Sequence, residues 1–175
     1  NCYLFLKSTV LPGTAEMIKK RLIKNKKIEI CSNPEFLREG KAWLDFNNAD
    51  KIVVGYDNKI FLKISKMIYK NFKGELLLVN LGTAEFIKQT SNAMLSNMIS
   101  FSNNLALLAE KFKKIEIKKI FEAIHLDKRF FGYPAQISSY IYPGLGFGGY
   151  CLPKDIQALS NFSKKYKQDY FFKNI

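Results

Sequence analysis

The stretch Pro143-Gly-Leu-Gly-Phe-Gly-Gly-Tyr-Cys-Leu-Pro-Lys-Asp155 holds the residue types best suited to covalent chemistry. Four glycines fall within the six positions 144–149, so backbone can come close to a ligand and offer it bare N–H groups. Cys151 follows at once, and Lys154 and Asp155 stand three and four residues further on, where a helix is expected to start. A nearby cation and a helix N-terminus both favour the thiolate, the nucleophilic form of cysteine. The plainer reading of the same residues is a flexible turn ending in a buried structural cysteine. The glycines do not form the Gly-x-Gly-x-x-Gly fingerprint that follows a strand in dinucleotide-binding folds.

Three further groups could act on a polar substrate. Asn33-Pro-Glu-Phe-Leu-Arg-Glu-Gly40 follows an expected strand, and the C-terminal ends of parallel strands are where α/β sheets bind ligands. Glu35 and Glu39 are four residues apart, which on a helical turn would place both on one face, one as a base and one on a polar ligand group. They equally suit an ordinary acidic first turn. Lys88 and Asn92 share a face of a long expected helix, where a half-buried ammonium and a neutral amide could steady an oxyanion, or simply form a solvated polar stripe. Lys7-Ser-Thr-Val10 directly follows the first strand, where hydroxyls suit ribose or phosphate, or a plain turn.

The elements that must position these groups change in type along the chain. Tyr3–Leu6, Ile28–Cys31, Lys51–Val54 and Leu76–Val79 read as strands, with helices expected over Ala15–Lys26 and Asp57–Asn71. That alternation predicts a parallel α/β sheet with crossover connections. Neither Pro nor Gly interrupts Thr83 to Phe112, which predicts a helix about 45 Å long, capped by Thr83 and with Glu85 complementing its dipole. Ile115–Ile124 and Asp155–Lys165 complete the helices. The expected fold is therefore α/β followed by all-α, with domains over residues 1–81 and 82–175.

Composition narrows the class. The chain has 175 residues, 47% of them hydrophobic, and no apolar run long enough for a membrane span. Its net charge of +13 comes mostly from lysines spread over every segment, which read as solvated faces, so no nucleic-acid partner is expected. Three cysteines and a single histidine, His125, exclude a disulfide framework and a zinc site as expectations, and a reducing cytoplasm fits them. The chain opens on Asn1 with an apolar run, as a fragment of a larger protein would.

The four stretches, in this order, resemble the UDP-glucose/GDP-mannose dehydrogenase family: Lys7-Ser-Thr-Val10, then Asn33 to Gly40, then Lys88-x-x-x-Asn92, then Gly146-Phe-Gly-Gly-x-Cys-Leu-Pro-Lys-Asp155. The likeness covers nearly the whole chain and is greatest to bacterial UDP-glucose-oxidising members. It departs where Leu11 displaces Pro12 by one position, at Ala49-Asp50-Lys51, and over Lys128–Ser139, a stretch containing Arg129 that is longer than the family's compact form.

The resemblance implies the end of a Rossmann-like NAD-binding domain joined to a central helical dimerisation domain, with NAD as cofactor and a UDP-sugar as substrate. The implied reaction is a two-step oxidation of the C6 alcohol of UDP-glucose to UDP-glucuronate. Cys151 would form a thiohemiacetal with the aldehyde-level intermediate, and the thioester that follows would be hydrolysed. Lys88 and Asn92 would steady the oxyanion, Asp155 would transfer a proton or hold water, and Glu35 would assist hydrolysis. Thr9, Glu39 and Lys154 would contact NAD. Glu35, Phe36, Leu37, Arg38, Glu39, Lys88, Asn92, Tyr140, Gly144 and Gly148 would line the substrate site. The long helix would form a homodimer. A UDP-N-acetylmannosamine or GDP-mannose dehydrogenase, or a non-catalytic dimerisation module, are the alternatives.

Overall fold

The computed structural model describes residues 2–21, 27–110, 112, 114–127, 144–164 and 173–175, and the chain forms two compact units, Asn1–Thr90 and Ser91–Ile175. In the first unit, short apolar runs become strands because alternate side chains fall on opposite faces of a sheet, and here both faces are covered. The strands are β1 (Cys2–Leu6), β2 (Ile28–Ser32), β3 (Lys51–Gly55) and β4 (Glu75–Val79), hydrogen-bonded in that order. Cys31, Ile52, Val54 and Phe61 make one buried cluster, with Phe61 contributed by α3 (Ile60–Ile68). The Tyr3 and Phe5 rings stand edge-on to Phe61, at centroid distances of 5.9 and 5.5 Å. Ala15 of α1 (Thr14–Arg21) packs on Ile30 and Leu81 in a second cluster.

The sheet differs from the expected all-parallel one. β1 pairs with β2, and β3 with β4, in parallel over five residues each, but β2 meets β3 only at an antiparallel bridge, Ser32↔Gly55. The β2–β3 connection explains the reversal. Its only helix, α2 (Ala42–Asn47), has six residues and buries none of them, so no crossover helix packs on the sheet there. Sequence periodicity gave no sign of α2, which exposes Trp43 and Leu44.

The long helix α4 (Leu81–Ala109) starts two residues earlier than expected. Its cap is Asn80, whose Oδ1 accepts the Thr83 N–H at 2.8 Å, so Thr83 lies inside the helix. Gly55 is what lets the end of β3 lie against this start, since a Cβ there would come within 2.5 Å of the Ala84 Cβ and 2.8 Å of the Asn80 carbonyl.

The second unit holds the rest of α4, α5 (Ile117–Leu126) and α6 (Cys151–Lys164). Its core cluster joins Ala93 of α4 to Ile156 and Leu159 of α6. α6 begins at Cys151, four residues before the expected start. Pro153 falls in its first turn, where the missing N–H costs no helical hydrogen bond.

Candidate active site

In the first unit the segment after β2 is held from beneath by one amide. Asn33 is 1% exposed, and its Nδ2 donates to the Val53 carbonyl at 2.8 Å. Its Oδ1 accepts from Lys7 Nζ at 3.2 Å and from the Tyr69 hydroxyl at 2.5 Å. A buried amide with its partners satisfied fixes the backbone that carries it. Pro34 is buried next to it and Glu35 emerges exposed. Residues 33–38 form no helix, so Glu35 and Glu39 do not share a helical face as expected. Pro34 disfavours a helical Asn33, and Gly40 turns the chain with φ +74°.

The segment rims an open cleft lined among others by Lys7, Asn33, Glu35, Phe36, Lys51 and Tyr69. Lys51 Nζ lies 4.4 Å and Lys88 Nζ 5.3 Å from the centre of the Phe36 ring, within cation–π reach. Burial lowers the Lys7 pKa, against the opposing pull of Glu35 and Cys31. Burial likewise raises Tyr69 and pushes the Cys31 thiol up to about 12, which the Lys7 charge only partly offsets. Leu37 is half-buried beside the cleft.

Arg38 is committed to Asp45, a residue that the sequence reading did not single out. Asp45 accepts the Arg38 N–H at 2.8 Å, Nε at 2.9 Å and Nη2 at 2.6 Å. The Arg38 side-chain hydrogen bonds, then the backbone one, hold the Asp45 carboxyl down at about 2. Thr9 is half-buried in the loop after β1, and Glu39 is exposed in the Gly40 turn.

In the second unit Cys151 is exposed as the first residue of α6. One turn later Asp155 is 2% exposed, and it accepts from Asn92 Nδ2 at 2.6 Å and from Lys154 Nζ at 2.5 Å. A buried carboxylate is sustained by such partners and is costly without them. Asn92 and Asp155, 63 residues apart in the chain, are thus brought together, while Lys154, expected on NAD, is paired with Asp155 and lies 5.9 Å from the centre of the Tyr150 ring. The glycine loop is tied down at Gly144, whose N–H donates to Asn103 Oδ1 at 2.7 Å, and it turns at Gly146 and Gly149 with φ +93° and +72°. Gly148 is exposed. Tyr140 and Arg129 lie outside the described residues.

These environments set the order of thiol reactivity. Native protein treated with a thiol reagent at pH 8 should label Cys2 and Cys151, which are exposed, while buried Cys31 should react only after denaturation. Peptide mapping checks this, and fast native labelling of Cys31 would contradict its placement.

Residues 1–73 match the NAD binding domain of the UDP-glucose/GDP-mannose dehydrogenase family, and residues 82–173 match that family's central domain. The UDP-glucose 6-dehydrogenase of Rickettsia prowazekii (strain Madrid E) is 39% identical over 173 residues, covering 97% of this chain and 38% of the relative. The structure of a UDP-glucose dehydrogenase from the hyperthermophilic archaeon Pyrobaculum islandicum is similar at TM-score 0.84 and 35% identity, covering 98% of this chain and 39% of that one. A GDP-mannose dehydrogenase from Pseudomonas aeruginosa is similar at TM-score 0.63 and 28% identity, covering 95% and 38%. The chain spans less than two fifths of the length of these relatives. Its first region is a Rossmann-like NAD-binding part, with NAD the cofactor, and its second is helical. Two consecutive domain matches, on the fold just described, place this chain in the UDP-glucose/GDP-mannose dehydrogenase family.

Proposed function

We propose that the chain is the segment of a nucleotide-sugar dehydrogenase that carries its catalytic cysteine, and that the full-length enzyme oxidises the C6 alcohol of UDP-glucose to UDP-glucuronate. The observation that carries this reading is the network by which Asn92 of α4 and Lys154 hold Asp155, one turn into the helix that begins with Cys151. The domains are proposed as residues 1–81 and 82–175, in a reducing cytoplasm.

The residues fit the cofactor. The loop after β1 offers Ser8 and Thr9 hydroxyls at the C-terminal end of a parallel strand pair. Beside it Gln89 Oε1 is buried with no hydrogen-bond donor among the described residues, an acceptor suited to a hydroxyl-rich group. Thr9, Glu39 and Lys154 are the proposed NAD contacts. When bound, NAD supplies the hydride acceptor for each oxidation.

The chain's own residues do the rest. Cys151 Sγ attacks the aldehyde carbon, a C–S bond forms, and the carbonyl electron pair moves onto oxygen. Lys88 and an N–H of Asn92 that Asp155 does not use would donate to that oxygen. Asp155 would move the thiol proton or order water, and Glu35 would assist the water that cleaves the thioester. Phe36, Leu37, Arg38, Tyr140, Gly144 and Gly148 are the proposed substrate lining. The test is turnover of the full-length enzyme with NAD and a panel of UDP-glucose, UDP-N-acetylmannosamine and GDP-mannose. UDP-glucose should give the highest kcat/KM, and another sugar leading the panel would move the substrate assignment.

A homodimer through α4 is part of the proposal. Met94, Phe101 and Leu108 recur every seven residues and are 57%, 56% and 58% exposed. Phe101→Asp in the full-length enzyme should turn a dimer into monomer on sedimentation, and a dimer that survives would remove α4 from its core.

A further inference from the structure

Among the described residues of the first unit, Glu85 is the buried charge that the proposed chemistry does not use. It is 1% exposed. The sequence suggests that it complements the dipole of its own helix, α4. Its carboxylate instead reaches across to the start of α1, where Oε2 accepts the Gly13 N–H at 2.7 Å and Oε1 the Ala15 N–H at 2.8 Å. Between them the Thr14 N–H donates to the Leu11 carbonyl at 3.1 Å, closing the same turn. Gly13, at φ +91°, sets the turn that leads into these N–H groups. One helical turn further along α4, Gln89 Nε2 donates to the Val10 carbonyl at 3.3 Å. The two side chains therefore tether both ends of the segment 10–15, directly after Thr9. Burial raises the Glu85 pKa and the N–H bonds oppose it, so carboxylate and turn sustain each other.

We infer that Glu85 is a positioning residue for the cofactor: with Gln89 it fixes the loop that presents Thr9 to NAD. The inference rests on the proposed function. It is specific to the cofactor side because the start of α4 has its own supports, the Asn80 cap and the Gly55 contact, so that Lys88 keeps its place over Phe36 when the Glu85 tether is lost. A glutamine at position 85 offers one acceptor oxygen in place of two and turns an NH₂ group toward backbone donors.

The test is steady-state kinetics of the full-length enzyme carrying Glu85→Gln, together with amide exchange on the 175-residue chain carrying the same change. The KM for NAD should rise about tenfold, the size of one lost net hydrogen bond, with kcat within about threefold and the UDP-sugar KM unmoved. Glu85→Asp, which keeps both oxygens, should recover part of the loss. The Gly13, Thr14 and Ala15 amides should exchange faster while those of β1–β4 do not. An unchanged NAD KM, an equal rise in both KM values, or faster exchange throughout the sheet would overturn the inference. If Glu85→Gln does not fold, Glu85→Asp carries the test, with a severalfold rise in NAD KM and faster exchange of the Gly13 and Ala15 amides expected, and unchanged values of both fatal. A wild-type enzyme that turns over with no NAD defeats the proposed function, and this inference with it.

Discussion

If the proposed function holds, Cys151→Ser in the full-length enzyme is expected to remove sugar-acid formation, with a loss of roughly 10³-fold or more, the scale seen when a covalent nucleophile is deleted. The exchange trades a thiol for a hydroxyl of nearly the same shape. A hydroxyl is a far weaker nucleophile at neutral pH, and an oxygen ester would resist hydrolysis more than a thioester does. Stability should hardly change, because Cys151 is exposed as the first residue of α6. The measurement is sugar acid by mass spectrometry alongside reduced cofactor by absorbance, with a thermal melt as control. Wild-type acid output from the serine variant would end the covalent reading.

Asp155→Asn is the second large loss, expected at about 10²- to 10⁴-fold in kcat, the range for deleting a general acid–base group. Here geometry makes even the conservative change severe. Asp155 is buried and accepts from two donors, Asn92 Nδ2 and Lys154 Nζ. An asparagine keeps one acceptor and sets its own NH₂ group against one of those donors, so a buried donor is left unmet at a cost of about 1–3 kcal/mol. The melting temperature should therefore fall as well. Asp155→Asn with kcat within threefold of wild type would show that the carboxylate neither moves a proton nor orders the site.

Much of this arrangement was legible in the sequence, and the rest has particular reasons for being hidden. Strands declare themselves by runs such as Leu76–Leu78 and Ile52–Val54, because burial on both faces demands apolar residues in succession. The same runs do not encode direction, so the antiparallel bridge at Ser32–Gly55 was not foreseen. Helix α2 was missed because its apolar residues face solvent, and the start of α6 because Pro153 reads as a break when it falls in a first turn. Cys151, Asp155 and Asn92 stood out by type and spacing. The Asn92–Asp155 bond could not, since it joins positions 63 apart. Asp45 carried no signal, and Glu85 read only as an acid complementing the dipole of its own helix, because a carboxylate that serves N–H groups far off in the chain looks like any other acid in one dimension.

The way β2 and β3 meet has a consequence for how the first unit comes apart. Two parallel ribbons, each closed by a local crossover helix, share a single backbone bridge, Ser32–Gly55, with the Asn33–Val53 bond beside it and the cluster of Cys31, Ile52, Val54 and Phe61 packed across the seam. Local crossovers form quickly and hold as small cooperative blocks, so the seam is where sub-global opening starts. Asn33 sits on that seam, two residues from Glu35. Warming short of the melt would therefore loosen the seam and carry Glu35 out of register while each block keeps its own protected amides, so the proposed hydrolytic role of Glu35 would fail before the sheet that bears it.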